Sequence, residues 1–402
     1  MAAASVSLPP ASVKSVGAPS VRSAPLFVPR PASVKSSAPS AQPIFCAVQK
    51  DCSLEMLSTH VHSVVVDGMN VFYRQAGKAG RPVILLLHGG IASSFQFRQL
   101  MPLLAREFYV IAPDLPGHGF TKPIASRSEP YKYTFASLAK TLTAFVDHLK
   151  LTSYALYLFD FGAAVGWRLA LAHPERVTAI VAQAGNAYVE GLGKAWEPVR
   201  ALWADLESDR PVQKHEYTYK KASSRSQAQA TDVKYATYLP RQLSVKTESE
   251  EEAEDIALTG TAADKFRLLR AAVLSPDGVR WVYSHGSGAH GNGRMISPES
   301  HMFESALLSQ EPARGDIHLG LLADYRTTVR MYPLFQRYLR EWAPRVLAIW
   351  GSRDAFLDPV GARMYTRDVP DAQTLVLDAG HFVLETHVEE VAVAVTKFVL
   401  ML

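Results

Sequence analysis

Three side chains in this sequence have types and positions that could do chemistry together. Asp160 lies in ALYLFDFGAAVGWRLA (155–170), where an apolar run gives way to small residues and then to a helical pattern. A carboxylate on the corner between a buried strand and a helix is costly to desolvate unless it is paired or used. Asp354 follows VLAIWG, and His381 follows LVLDAG, so both also stand just beyond the carboxyl end of an apolar strand. An aspartate is ionised near neutral pH and can attack carbon without a base to take its proton. Attack on an ester carbonyl would give an anhydride, a poor intermediate. Attack on a saturated carbon bearing a leaving group gives an ordinary alkyl ester, so Asp160 points to electrophiles such as epoxides or alkyl halides. A histidine oriented by a second carboxylate could then activate water to hydrolyse that ester.

Strands must bring these groups to one edge. HSVVVDGMNVFYRQAG (62–77) carries two apolar runs around Asp67-Gly68, a hairpin signal. RPVILLLHGG (81–90) and YVIAPDLPGHG (109–119) read as strands buried on both faces. FQFRQLMPLLAREF (95–108) and YTFASLAKTLTAFVDHLKL (133–151) have helical spacing. YALYLFD is a strand, FGAAVGWRLALAHP a helix stopped by Pro174, and VTAIVAQAG a further strand. The alternation lapses near Tyr188 and resumes with RVLAIWG (345–351), AQTLVLDAG (372–380) and a last helix from about Val388. Alternating strands and helices predict an α/β fold with a mostly parallel sheet. The intervening stretch predicts a helical lid over the strand ends, where open α/β sheets bind ligands. The expected organisation is a leader over 1–52, core segments over 53–187 and 313–402, and a lid over 188–312 with an insertion over 206–258.

Composition narrows the function class. Of 402 residues, 48% are hydrophobic and 20% charged, ordinary globular values. No apolar run approaches the roughly 20 residues of a membrane helix. The first 50 residues hold Lys14, Arg22, Arg30, Lys35 and Lys50 and no acid, so against a formal charge of +4 the remainder is near −1. There is no basic face to argue for nucleic acid. The leader, with ten Ser and eight Pro in its first 49 residues, has the composition of an organelle transit peptide, and its proline density favours a plastid over a mitochondrion. Cys46 and Cys52 are the only cysteines, which leaves no disulfide framework or thiolate metal site. His285 and His290 in YSHGSGAHGNG read as a glycine loop and not as metal ligands, and no metal or cofactor is expected.

The order nucleophile, acid, histidine is that of the α/β-hydrolase triad, with Asp where Ser more often stands. LLLHGG, APDLPGHG, LFDFGAAVGWRLA, WGSRDAFLDP and LDAGHFVLE together resemble the epoxide hydrolase and haloalkane dehalogenase branch of that fold. Leu158 occupies the first glycine of the usual elbow, and Ile91 stands where the branch usually has proline. The resemblance implies Asp354, not Asp358, as the acid, and the backbone N–H groups of Gly90 and Phe161 as oxyanion donors. LLADYRTTVRMYP (321–333) is similar to the epoxide hydrolase segment that carries a ring-opening tyrosine, which implies Tyr325 in that role. A second tyrosine would come from the lid, with Tyr283 preferred over Tyr235, Tyr238 and Tyr188. Trp196 and Trp281 are expected as pocket wall or lid packing, and His88 as a shaper of the oxyanion loop beside the substrate. Phe161 lacks the indole N–H that a dehalogenase often places after its nucleophile. The expected function is cofactor-free hydrolysis of a small apolar electrophile, an epoxide first and a haloalkane second, by a monomer or homodimer. A non-catalytic binding protein on the same fold is the alternative from a different class.

Overall fold

Asp67 and Gly68 both take positive φ, 48° and 70°, the backbone of a tight hairpin turn. That turn pairs β1 (His60–Val66) with β2 (Met69–Ala76), antiparallel, in the register Val66 opposite Met69. The computed structural model describes residues 58–126, 128–208, 260–287 and 296–401. The leader, most of the acid-rich insertion, Tyr235, Tyr238 and His290 lie outside the described residues.

The next strands are β3 (Val83–Leu87), β4 (Tyr109–Pro113), the two-residue β5 (Lys122–Pro123), β6 (Tyr154–Phe159) and β7 (Val177–Gln183). After the lid come β8 (Arg345–Gly351) and β9 (Gln373–Leu377). The sheet order is β1-β2-β4-β3-β6-β7-β8-β9, with β5 beside β2. Contacts of β2 with β1, β4 and β5 are antiparallel, and every pairing from β4 to β9 is parallel.

Every residue of β6 is buried, as a strand covered on both faces must be. Its side chains alternate between two cores. Leu156 and Leu158, with Leu85 and Leu87 of β3, face α2 (Phe135–His148), α3 (Phe161–Ala172) and the lid. Ala155 and Tyr157, with Ile84 and Leu86, face α1 (Leu100–Leu104) and α10 (Val388–Leu400). The helix read over 95–108 is shorter than its pattern suggests, a 3-10 turn at Ser94–Phe97 followed by α1.

The lid lies between β7 and β8. Its described helices are α4 (Glu197–Ser208), α5 (Ala262–Leu269), α6 (Pro276–Ser284) and α7 (Pro298–Gln310). The 31-residue α8 (Pro312–Trp342) then leads back to the sheet, which resumes at Arg345. The helix α9 (Val360–Asp368) joins β8 to β9. Among the described residues no helix is long and apolar enough to cross a membrane, and no group of three or more His, Cys, Asp or Glu could hold a metal.

Small residues fix how closely α3 approaches the sheet. A Cβ on Gly162 would meet the Leu87 carbonyl oxygen at 2.2 Å, and one on Gly166 would meet the Leu158 side chain at 2.2 Å. Gly166 thus makes the space for leucine at the first elbow position. Gly162→Ala is expected to destabilise the protein by about 1–3 kcal/mol through overpacking against backbone. An unchanged urea midpoint would show that α3 does not pack as described.

Candidate active site

The sharp corner is at Asp160 itself, φ 46° and ψ −114°, between the last residue of β6 and the first of α3. This backbone is strained for an L residue and costs about 1–3 kcal/mol. The surrounding strand and helix hold it, and it turns the side chain out of the sheet. The Gly90 N–H donates to Asp160 Oδ2 at 2.8 Å, and the Phe161 backbone N–H also donates to this carboxylate. Burial pushes the Asp160 carboxyl above its ordinary value, against the opposing pull of His381 and of those two N–H groups. The two expected oxyanion donors therefore already hold the Asp160 carboxylate.

Asp354 is fully occupied. Its Oδ1 accepts from the Phe356 and Leu357 N–H groups at 2.9 and 3.0 Å, and its Oδ2 meets His381 Nδ1 at 2.8 Å. The Asp354–His381 contact fixes Nδ1–H as the donor and leaves Nε2 as the possible base. Asp358 is exposed and instead accepts from the Val360 N–H. Two further acids near the strand ends, Glu190 and Asp378, pair with Arg367 and Arg353. Phe159, Phe356 and Phe382 surround the imidazole, with ring centroids 4.8, 5.3 and 5.3 Å away. Burial alone would lower the His381 pKa, but Asp354 and then Asp160 outweigh it, and the net shift is upward.

Tyr325, on α8, is buried with its ring 5.6 Å from Phe161 and 4.7 Å from Trp196. Its hydroxyl lies 3.1 Å from that of Tyr332. Burial raises both phenols, and the Asp160 charge adds to the rise in each. Trp196 is buried, and among the described residues its indole N–H has no hydrogen-bond partner. Trp281 packs on His285 and on Phe356, the neighbour of His381.

Two expectations need correction. Tyr283 stacks on Phe382 at 3.8 Å, and the charges acting on it are Glu304, Glu385 and Arg98, not Asp160. The tyrosine that pairs with Tyr325 is Tyr332, seven residues along the same helix, where two turns return to one face. The spacing in LLADYRTTVRMYP could have revealed it. The side chain of His88, expected beside the substrate, has both ring nitrogens engaged in binding the loop together. Its Nε2 accepts from the Leu115 N–H at 2.9 Å, and its Nδ1 donates to the Gly89 carbonyl at 2.8 Å. Tyr188, the other described candidate, is buried edge-on against Tyr365. Asn186, just past β7, was not read from the sequence and binds the Tyr332 hydroxyl at 3.2 Å.

Comparison with known proteins agrees with this fold. The alpha/beta hydrolase fold family model matches residues 82–388. An uncharacterized hydrolase of Saccharomyces cerevisiae is 36% identical over 329 residues, spanning 82% of this chain and 92% of that protein. A haloalkane dehalogenase of Psychrobacter cryohalolentis is 32% identical over 127 residues, 30% of this chain and 41% of that one. A Pseudomonas aeruginosa structure provisionally named an epoxide hydrolase superposes with a TM-score of 0.54 at 17% identity, covering 86% of this chain and 96% of the other. The chain belongs to the α/β-hydrolase fold family. It is a hydrolase.

The upward shift of His381 has a sign for kinetics. A base works only when deprotonated, so the water-activating step should fall as pH drops through a midpoint above 6.5, the ordinary histidine value. A pH profile of product formation whose acid limb lies at or below 6.5 would contradict this electrostatic picture.

Proposed function

We propose that the enzyme hydrolyses epoxides to diols through an ester of Asp160. Asp160 Oδ1 attacks a ring carbon, and the ring C–O electron pair passes to oxygen, which takes the Tyr325 proton. Asp160 Oδ2 then becomes the ester carbonyl oxygen, already seated against the Gly90 N–H. Water gives a proton to His381 Nε2 and attacks this carbonyl, and the developing oxyanion draws on Gly90 and Phe161. Removal of one such preorganised donor costs about 10²–10³ in rate. Asp354 keeps the histidine in the working tautomer and stabilises its charge.

The observation that carries the choice of epoxide is the pair of phenol hydroxyls, Tyr325 and Tyr332, 3.1 Å apart and both within the field of the Asp160 charge. An epoxide oxygen leaves as an alkoxide and needs a proton donor, which a phenol supplies. A second reading, haloalkane hydrolysis, draws support from Trp196, whose unpartnered indole N–H lies beside Tyr325 and could face a halide ion. A binding protein would have no use for an occupied Asp354–His381 pair, which argues for turnover.

Asp160→Asn should abolish turnover, and His381→Gln should let the ester accumulate as a mass adduct on the intact protein. Tyr325→Phe should slow ester formation from epoxides by about 10² or more, within the range of general acid catalysis, and leave ester formation from alkyl halides nearly unchanged. Equal losses on both substrates would refute Tyr325 as the epoxide acid. No adduct from either class in the His381 variant would refute covalent catalysis by Asp160.

A further inference from the structure

Asn186 and Tyr332 form an ordered hydrogen-bond chain leading to Tyr325. The Asn186 amide is oriented by its surroundings. Its Oδ1 accepts from the Tyr188 N–H at 3.3 Å, and its Nδ2 donates to the Tyr188 carbonyl at 2.8 Å. Exchanging oxygen and nitrogen would set donor against donor and acceptor against acceptor, so the atom facing Tyr332 is an N–H. An amide N–H can only donate, and the Tyr332 oxygen accepts from it at 3.2 Å. The Tyr332 and Tyr325 hydroxyls are 3.1 Å apart, a bond in which either can donate, and with Tyr332 already accepting from Asn186 the relay takes Tyr332 as the donor. In that arrangement Tyr325 receives a hydrogen bond and keeps its own proton to give.

The turn that carries Asn186 is held from several sides. Ala184 takes φ 44°, its N–H donates to the Ile349 carbonyl of β8 at 2.9 Å, and the Tyr365 hydroxyl donates to the Gly185 carbonyl. Among the described residues, Tyr325 and Tyr332 are at most 1% exposed, so bulk water does not compete for these hydroxyls. A non-glycine residue with φ in this region is uncommon, and here it aims an amide.

We infer that Asn186 and Tyr332 are positioning residues that set the direction of the Tyr325 hydroxyl, so that its proton points towards a substrate oxygen. The inference rests on the proposed epoxide reading. On ring opening the Tyr325 O–H bond breaks and its proton joins the former ring oxygen. The phenolate left behind accepts from the Tyr332 O–H, which is itself polarised by Asn186, and such chains strengthen cooperatively. Hydrolysis of the ester restores the Asp160 carboxylate and liberates one proton from the water consumed, which returns Tyr325 to its neutral form. Tyr332 acts through Tyr325 and does not touch substrate.

The test uses the full chain in the His381→Gln background, following ester formation from styrene oxide by quenched intact mass. Tyr332→Phe should slow it about tenfold, the worth of one hydrogen bond to a developing charge. Asn186→Asp presents an acceptor where the amide donated and should slow ester formation at least as much, since Tyr332 would turn its proton away from Tyr325. The Tyr325→Phe/Tyr332→Phe double variant should be no slower than Tyr325→Phe alone. Losses that multiply would mean that Tyr332 contacts the epoxide itself and would overturn the relay, as would an unchanged rate in Tyr332→Phe.

A second measurement does not depend on turnover. In protein labelled with 13Cζ-tyrosine, the Tyr325 resonance, assigned by its loss in Tyr325→Phe, should move in both Tyr332→Phe and Asn186→Asp. A resonance unmoved in both, with thermal melting showing folded protein, would overturn the relay whatever the activity. Absence of ester in the parent variant would instead count against the epoxide reading, and the resonance would then decide the chain by itself.

Discussion

The structure depends on holding one desolvated carboxylate at a bent corner. Asp160 is buried at the carboxyl end of the central strand β6 on a backbone that L residues avoid. Burial works against its charge, and three neighbours work for it: His381 across the cleft and the N–H groups of Gly90 and Phe161. A carboxylate in water needs none of these. One buried among Phe159, Phe161 and Tyr325 would be a liability without them. The rest of the domain can be read as what keeps the three neighbours in place.

The oxyanion loop illustrates this. His88, with both ring nitrogens engaged, ties the end of β3 to Leu115 at the end of β4. Ile91 takes φ 57°, which a proline, with its φ fixed near −65°, could not adopt. The departure from the branch's usual residue therefore goes with a local loop conformation of its own. Ser93 caps the following turn and also donates to Glu304 of α7 at 2.7 Å, which joins the lid to this loop. Asp354 is held in the same manner by two backbone N–H groups.

Much of this was legible in the sequence because it follows from period and punctuation. Continuous apolar runs marked the parallel strands, Asp67-Gly68 marked the hairpin, and the three chemical residues each followed a strand. A resemblance of motifs was needed to prefer Asp354 over Asp358, and the structure gives the physical difference: one is enclosed by N–H donors and the other caps an exposed turn. The lid was less legible. Tyr283 is a buried tyrosine on a lid helix and Tyr332 one on α8, which follows the lid, and only packing tells which one shares the electrostatics of Asp160. Asn186 carried no periodic signal, since its role comes from a turn whose strain is invisible in residue types.

The central claim is that Asp160 forms a bond to substrate carbon and is later freed by water. Its most direct test is a single turnover of an epoxide with excess enzyme in 18O water, followed by mass spectrometry of the diol and of the peptide containing Asp160. The account predicts that the label enters the Asp160 carboxylate while the new hydroxyl of the diol carries unlabelled oxygen from the protein. Label in the diol and none in that peptide would mean that water attacks the substrate directly, and would contradict it.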